Sequence, residues 1–264
     1  MSTGMDWLGL ERLSDQEWRL PVTDGVRSGA RALFGGCATA AAIVIAQELA
    51  EQPIVFAASH FGSMAQLGTT ATIKSRVIAA GRTTTHLEIE GSVDGTHSFL
   101  TRLSAGTRPA KETEGQWVHP AKTASLEESE PFPHPVHEET WAGRFEWRLA
   151  GTSREQRPVA SWWVRPKEPL DPIAAATILV DYVTYGIGRA LDTPIGGLSI
   201  DNVVRMHRVA EADWYLLQVM PEAISDGLGY GTARLYAKDK LVMTGTQSIV
   251  VMDWDWRLPE ERTD

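Results

Sequence analysis

The sequence predicts an α+β protein made of two similar units, each a long apolar helix followed by an antiparallel sheet. Apolar helical stretches begin near Gly36 and at Asp171, and runs of strand-like residues follow each of them. From helix start to final hairpin turn there are 59 residues in the first half (36 to 95) and 68 in the second (171 to 239). Because the same order of elements occurs twice, we interpret the chain as two copies of one unit packed side by side.

Both helices carry recognisable boundary signals. Gly35 and Gly36 open the first apolar helix, and Pro53 ends it. In the second, Asp171 is a good N-cap and Pro172 suits the first helical position. We read residues 171–190 as one helix, with glycines near its end as the place where it stops.

The predicted strands are short β-rich runs separated by turn residues. Asp94-Gly95 is the strongest hairpin signal, and residues 238–240 form the last turn. Helices and strands do not alternate as βαβ units, and no G-x-G-x-x-G motif lies at a strand-to-helix turn, so a doubly wound fold is excluded. The predicted strands of the two halves are IVFAASHF, TATIKSRVIAA, TTTHLEIEGSV and SFLTRLSAG, then RFEWRLAG, VASWWVRP, LSIDNVVRMHRV, DWYLLQVMPEA, GYGTARLYA and LVMTGTQSIVVMDW.

A polar stretch divides the two units. From Arg108 to about Trp141 the composition shifts to Pro, Glu, Lys, His and Ser, which is typical of a linker. We therefore expect units at 1–107 and 142–264 and a linker at 108–141. His134 and His137, with Glu138 beside them, lie in this polar stretch without a further ligand in view. We therefore expect solvated loop histidines and no metal site.

Composition and charge exclude several classes of protein. The 264 residues carry a net charge of −9, which does not fit a nucleic-acid binder. No apolar run approaches the ~20 residues of a membrane span, and residues 1–13 lack a signal peptide pattern. The single Cys37 excludes an intrachain disulfide and is expected to be buried. These features indicate a soluble cytoplasmic protein.

Asp181 is the anomaly of the second helix. In the single-helix reading it lies nearly three turns inside, too deep to be a cap. Its side chain should point inward, because it shares a helix face with its neighbours three and four residues away, Thr177, Ile178, Thr184 and Tyr185. A buried carboxylate is unfavourable unless it is hydrogen-bonded, and a raised pKa or a bound water is the usual functional reason for keeping one.

Two strands of the second unit carry polar residues that can meet Asp181. Alternation in the last strand places Gln247 among apolar residues on one face. The strand after the helix carries Ser199 and Asp201, although its pattern does not show which set faces the helix. One interpretation is structural: Gln247 satisfies a backbone group, Ser199 caps a strand end and Asp201 pairs with Arg205 in solvent. The pattern alone favours that reading over a shared site.

The chain resembles the double hotdog fold of the acyl-CoA thioesterase II family. The resemblance covers nearly the whole chain outside the linker, and the short matching motifs occur in the family order. They are Leu33-Phe34-Gly35-Gly36, Val180-Asp181-Tyr182, Ser199-Ile200-Asp201, His207-Arg208, Asp213-Trp214-Tyr215-Leu216 and Leu241-Val242 to Gln247.

The resemblance implies that Asp181, Ser199 and Gln247 hold and polarise a hydrolytic water, with Asp181 as general base. Ser199 replaces the family's Thr and keeps the hydroxyl without the methyl. Two neighbours also depart from the pattern, with Ser248 for the usual Glu and Val209 for the usual Pro. The first helix offers no carboxylate at the matching position, so we expect one active centre per chain.

The chemical needs of such a substrate suggest which residues contact it. A backbone N–H near Gly35 and Gly36 would stabilise the oxyanion. Four side chains would line an acyl channel and two arginines would bind CoA, no cofactor being required: Ile178, Tyr185, Met243, Ile249, Arg205 and Arg208. We expect an acyl-CoA substrate, a role in lipid metabolism and a homodimer, with no nucleic-acid or membrane partner.

Two alternatives to hydrolysis remain. The departures at Ser199 and Ser248 also suit a catalytically silent hotdog protein that binds acyl-CoA or a related ligand. A hotdog hydratase would need a His close to an Asp, and no His occurs near Asp181 in the sequence. The hydratase therefore ranks last.

Overall fold

The computed structural model describes residues 3–50, 52–107, 115–134, 138–154, 157–207 and 212–253. Within these ranges there are four α-helices and fourteen strands, with 3₁₀ turns at Asp24–Val26 and Trp141–Arg144. The helices are α1 Thr3–Leu8, α2 Gly35–Ala50, α3 Pro172–Val180 and α4 Val183–Leu191. The strands are β1 Glu11–Arg12, β2 Glu17–Pro21, β3 Ile54–Phe61, β4 Thr70–Ala80, β5 Thr84–Val93, β6 Thr96–Gly106, β7 Glu130–Pro131, β8 Phe145–Ser153, β9 Val159–Pro166, β10 Ile195–Ser199, β11 Asp201–Met206, β12 Tyr215–Ser225, β13 Leu228–Ala237 and β14 Lys240–Asp253.

The strands form one antiparallel sheet whose order is nearly symmetrical about its centre. The order is β1-β2-β4-β5-β6-β3-β11-β14-β13-β12-β9-β8-β7, and β10 pairs with β14. Read outward from the centre, β3-β6-β5-β4-β2 in one half corresponds to β11-β14-β13-β12-β9 in the other. The two halves therefore repeat one unit, as the sequence predicts.

The halves join edge to edge through β3 and β11. Five residue pairs run antiparallel across this seam, from Asp201 opposite His60 to Arg205 opposite Phe56. Pairing these two edges covers strands that would otherwise expose unpaired backbone groups. The seam makes the two units parts of one continuous sheet.

The helices cover the inner face of the sheet and pack on each other. α2 packs against α3, against β3, β5 and β6 of its own half, and against β11 of the other half. Alanines and Cys37 fill the buried positions of α2, and their small side chains allow the two helices to approach closely. Cys37 is fully buried, as expected, and its burial raises the pKa of the thiol.

Tight turns close the hairpins where the sequence signals them. Asp94 and Gly95 both adopt positive φ angles, 48° and 78°, which a type I′ turn requires. Lys238 adopts a φ of 55° in the turn between β13 and β14. Both predicted turns are confirmed.

The second helix is not continuous, so the single-helix reading of residues 171–190 is wrong. α3 ends at Val180 with Asp181 as its C-cap, and α4 begins at Val183. Asp181 and Tyr182 have ψ angles of 13° and 0°, away from the helical value of about −42°. Gly186 does not end the helix: it lies within α4, where a Cβ would come 2.8 Å from the Cβ of Val219. The glycine is needed for close contact between α4 and β12.

Residues 115–134 lie against the second half of the sheet. Gln116 hydrogen-bonds the β13–β14 hairpin at Asp239 and Leu241, and Ala121 bonds Gln218 on β12. The boundaries proposed at residues 107 and 142 stay a prediction. Among the described residues, no helix is long and apolar enough to cross a membrane.

Candidate active site

Asp181 lies at the junction of α3 and α4, beside the start of α2. Its side chain is fully buried. A Cβ added to Gly36 would come 2.9 Å from the Asp181 Cβ, so only glycine at this position lets α2 approach so closely. The helix of the second unit thereby places its carboxylate against the helix N-terminus of the first.

Gln247 on β14 connects Asp181 to Ser199 on β10. Its side-chain Nε2 donates to Asp181 Oδ1 at 2.5 Å and to Ser199 Oγ at 2.9 Å. The buried positions of β14 alternate as predicted, and Gln247 is fully buried among them. The structure therefore brings the three predicted residues into one hydrogen-bonded chain.

The surroundings of Asp181 raise its pKa well above the usual carboxyl range. Burial is the largest cause, and the negative charge of Asp201 adds to it. Hydrogen bonds from the Gly36 backbone N–H and from Gln247 act in the opposite direction but are outweighed. Such an environment favours the neutral form of the carboxyl group, as at many functional sites.

Asp201 does not take part in this chain. It accepts hydrogen bonds from the backbone N–H of Ser248 at 2.7 Å and from the Ser248 hydroxyl at 3.3 Å. Its predicted pairing with Arg205 in solvent is therefore replaced by a bond across to β14.

A cavity of about 940 Å³ opens beside the three residues. Both halves contribute to its walls, because the turn before α2 and the β3–β4 loop face α4 and the ends of β10 and β14. Gly35, Tyr185 and Ser199 line the cavity, while Asp181 and Gln247 lie behind its wall. The wall also contains Phe34, Phe61, Met64, Phe99, Leu198 and Met252, so much of it is apolar.

Gly35 separates Asp181 from the cavity. A Cβ on Gly35 would come 3.0 Å from Asp181 Oδ2, an oxygen that is buried and makes no hydrogen bond of standard geometry. The Gly35 N–H, at the first position of α2, has no partner among the residues that the structure describes. The Asp181 Oδ2 therefore lies directly behind Gly35, whose free N–H opens the N-terminus of α2 at the cavity wall.

The remaining predicted contacts are distributed differently. Tyr185 lies on the cavity, where it accepts from the Gly29 N–H at 3.4 Å, and burial raises its pKa to about 12. Ile178 is fully buried in the core, and Arg205 lies over the ring of Phe56; neither lines the cavity. Met243 and Ile249 are likewise core residues. Arg208 and Val209 lie outside the described residues.

Two cavity residues were not singled out from the sequence. Arg31 is exposed at the cavity and adopts a φ of 57°, unusual for a residue with a side chain. Thr184 on α4 is buried, and its hydroxyl has no hydrogen-bond partner. Helical spacing places Thr184 on the face of Asp181, but nothing in the local sequence gives either residue a role, because both depend on elements that meet only in the folded chain.

His134 is not a solvated loop residue, so that expectation is wrong. Its imidazole packs among Trp141, Trp147 and Tyr182, and its Nε2 lies 2.7 Å from the Tyr182 hydroxyl. His137 lies outside the described residues. Across the ranges that are described, no group of three or more His, Cys, Asp and Glu residues is arranged to hold a metal ion.

The corresponding place in the first unit lacks a carboxylate. Asp181 follows the first residue of α3 by nine positions (172 to 181), and Val44 follows the first residue of α2 by nine (35 to 44). Val44 lies near the start of α3, where α1 covers it: a Cβ on Gly4 would come 2.8 Å from Val44 and 3.4 Å from Asp171. This asymmetry supports a single centre per chain.

Comparison with known proteins identifies the fold and the family. Residues 97–251, more than half of the chain, match the family model described as the acyl-CoA thioesterase C-terminal domain. No curated protein matches the chain in sequence.

Three solved structures illustrate the similarity of fold. A candidate thioesterase from Novosphingobium aromaticivorans is 26% identical, with a TM-score of 0.83 over 91% of this chain and 97% of its own. A hot dog fold protein of unknown function from Alicyclobacillus acidocaldarius is 18% identical, with a TM-score of 0.82 over 96% and 98%. The acyl-CoA thioesterase II TesB2 from Mycobacterium marinum is 15% identical, with a TM-score of 0.74 over 98% of each chain.

These matches agree with the α+β double hotdog architecture built from two units, and they support thioester hydrolysis as the general activity. The chain therefore belongs to the acyl-CoA thioesterase family.

Proposed function

We propose that this protein hydrolyses acyl-CoA thioesters to free acid and CoA, with a water activated by Asp181. The observation that carries the proposal is the bridge of Gln247 between Asp181 and Ser199 beside a largely apolar cavity. The similarity to the Mycobacterium marinum acyl-CoA thioesterase II also supports an acyl-CoA substrate.

Each of the three side chains has a distinct part in this reaction. Asp181 takes a proton from the water through Oδ2, the oxygen that Gln247 leaves free. Gln247 donates to both of its neighbours, so it orients them. Ser199 accepts from Gln247, which leaves its own O–H free to position the water at the cavity wall.

The bond changes balance as a hydrolysis. The water oxygen bonds to the thioester carbonyl carbon while its proton passes to Asp181, and the negative charge moves to the carbonyl oxygen. The free N–H of Gly35 stabilises that oxyanion at the N-terminus of α2. When the intermediate collapses, the carbon–sulfur bond breaks and the thiolate of CoA leaves, taking up the proton.

A free cation at the cavity supports CoA as the carrier of the acyl group. Arg27 also lines the cavity, but its guanidinium is paired with Asp24. The Arg31 guanidinium has no partner in the part of the chain that is described. On a protein of net charge −9, an unpaired arginine at the cavity is suited to the phosphates of CoA.

The experiment is free-thiol release from acyl-CoAs of short to long chain length, with Asp181→Asn beside the unaltered protein. Turnover that falls by about 100-fold or more in the variant supports Asp181 as the base. If no chain length is hydrolysed although acyl-CoA raises the melting temperature, the protein is instead a silent acyl-CoA binder.

We also propose a cytoplasmic homodimer that acts in lipid metabolism. Apolar side chains are exposed on adjacent strands, with Leu228 opposite Val250 and Tyr230 close by. Exposed apolar patches often mark contacts between proteins. Light scattering at micromolar concentration should give the mass of a dimer; the mass of a monomer would contradict the proposal.

A further inference from the structure

Thr184 has a buried hydroxyl without a partner. Only 4% of the residue is exposed, and Oγ1 makes no hydrogen bond to any residue that the structure describes. The residue lies on the wall of the cavity, beside Tyr185. A buried polar atom without a partner is unfavourable, and it is rare in native structures unless a ligand or water satisfies it.

The break between α3 and α4 explains why the usual partner is missing. A threonine inside a helix commonly donates to the carbonyl four residues earlier. Thr177 on α3 does so, with its hydroxyl 2.7 Å from the carbonyl oxygen of Ile173. For Thr184 the corresponding carbonyl is that of Val180, the last residue of α3. The Val180 oxygen lies against β14 instead, because a Cβ added to Gly245 would come 2.7 Å from it.

The break therefore leaves the Thr184 hydroxyl without a partner on the wall of the cavity beside the candidate site. Thr184 follows Asp181 by three residues. It lines the same cavity as Gly35, whose N–H is also free, and Ser199, whose hydroxyl bonds Gln247. Two unused donors, one from α4 and one from the start of α2, thus share this cavity.

We propose that the Thr184 hydroxyl donates a hydrogen bond to the carbonyl oxygen of the bound thioester, as a second donor beside the Gly35 N–H. This role rests on the proposed hydrolysis. Because charge develops on that oxygen during the reaction, the bond strengthens as the tetrahedral intermediate forms. The main effect of the hydroxyl is then on kcat.

Thr184→Val tests the proposal, with Thr177→Val as the matched control. We expect Thr184→Val to lower kcat/KM at least tenfold, mostly through kcat, without lowering the melting temperature, because it removes a polar atom that had no partner. Thr177→Val should lower the melting temperature and leave kcat/KM within twofold. Thr184→Ser keeps the hydroxyl and should recover most of the activity.

Three outcomes would overturn the proposal: Thr184→Val retains kcat/KM within twofold, Thr184→Ser is as inactive as the valine variant, or Thr177→Val loses as much activity. If the unaltered protein hydrolyses no thioester, the proposed function fails, but Thr184 is still tested. A ketone analogue of acyl-CoA, with a methylene in place of the sulfur, keeps the carbonyl and cannot be hydrolysed. Calorimetry should then give a Kd about twofold weaker for Thr184→Val, because the bond is weaker before charge develops on the oxygen, and an unchanged Kd would reject the role.

Discussion

The side-chain nitrogen of Gln247 lies 2.5 Å from Oδ1 of Asp181, at a point where both residues are fully buried. This bond gives the carboxylate a donor on one oxygen and leaves the other oxygen towards Gly35 and the cavity. The two oxygens therefore have different surroundings. Four predictions concern this carboxylate and the cavity beside it.

The first concerns Gln247 itself. Gln247→Met keeps the shape but leaves Asp181 Oδ1 without its donor, so we expect a loss of about 1–3 kcal/mol in the free energy of unfolding at pH 7. We also expect kcat to fall, because Asp181 and Ser199 lose their common partner. Gln218→Met is the control, since Gln218 is equally buried but bonds Ala121 and Ser161. It should lose stability and keep kcat; equal losses of kcat in both variants would contradict the role of Gln247.

The second concerns pH. The fold raises the pKa of Asp181 and so favours its neutral form; the stabilisation is complete below the unfolded pKa and is lost as pH rises through the folded value. Asp181→Asn is neutral at every pH, so we expect its stability to exceed that of the unaltered protein by an amount that grows as pH rises above about 4, near the unfolded pKa. Urea unfolding across this range measures the difference.

Hydrolysis should show the opposite trend, because a general base must be ionised. We expect kcat/KM of the unaltered protein to rise with pH through the raised pKa of Asp181, measured by thiol release. A pH-independent kcat/KM from pH 4 upwards would exclude Asp181 as the base.

The third prediction concerns Ser199. Ser199→Ala removes the hydroxyl that accepts from Gln247, and we expect kcat/KM to fall about tenfold, as for a lost hydrogen bond of about 1.4 kcal/mol. Ser199→Thr keeps the hydroxyl and restricts its rotamer, so its activity should equal or exceed that of the unaltered protein. Ser248→Ala, outside the cavity, serves as control. An alanine variant at position 199 with full activity would remove Ser199 from the mechanism.

The fourth concerns Arg31. If its guanidinium binds a phosphate of CoA, Arg31→Met should raise KM for acyl-CoA about tenfold, or about 1.4 kcal/mol, with little change in kcat. The same variant should hydrolyse the acyl thioester of N-acetylcysteamine, which has no phosphate, as well as the unaltered protein does. Arg82→Met is the control, because Arg82 is exposed in the β4–β5 turn away from the cavity. An equal rise in KM for both thioesters would contradict phosphate binding.

Much of the fold is predictable because the signals are local. Alternation places Gln247 on the inner face of β14, and the turn residues at Asp94-Gly95 fix a hairpin. The break at Asp181 is not predictable in this way, because residues 180–183 contain neither proline nor glycine to mark it. The constraint comes from contacts with α2 and β14 that the local pattern does not contain.

The candidate site is likewise predictable only where its signals are local. Asp181 and Gln247 stand out in the sequence because each is polar where its element is apolar. Arg31 and Thr184 do not stand out, since an arginine in a loop and a threonine in a helix are ordinary. Their importance arises from the cavity between the two halves. The sequence led instead to Arg205, which lies on β11 over the ring of Phe56 and does not line the cavity.

The continuous sheet through β3 and β11 has a consequence for how a duplicated chain can diverge. In the proposed mechanism one unit supplies the carboxylate and the other supplies the glycine N–H, so the proposed reaction needs both halves. Two equivalent places arise in any such pair, and a chain that keeps one of them can give up the other. In this chain the second place is occupied by Val44, which α1 covers, and it carries no carboxylate. The first unit can therefore change as a scaffold, provided that Gly35 and Gly36 stay glycine.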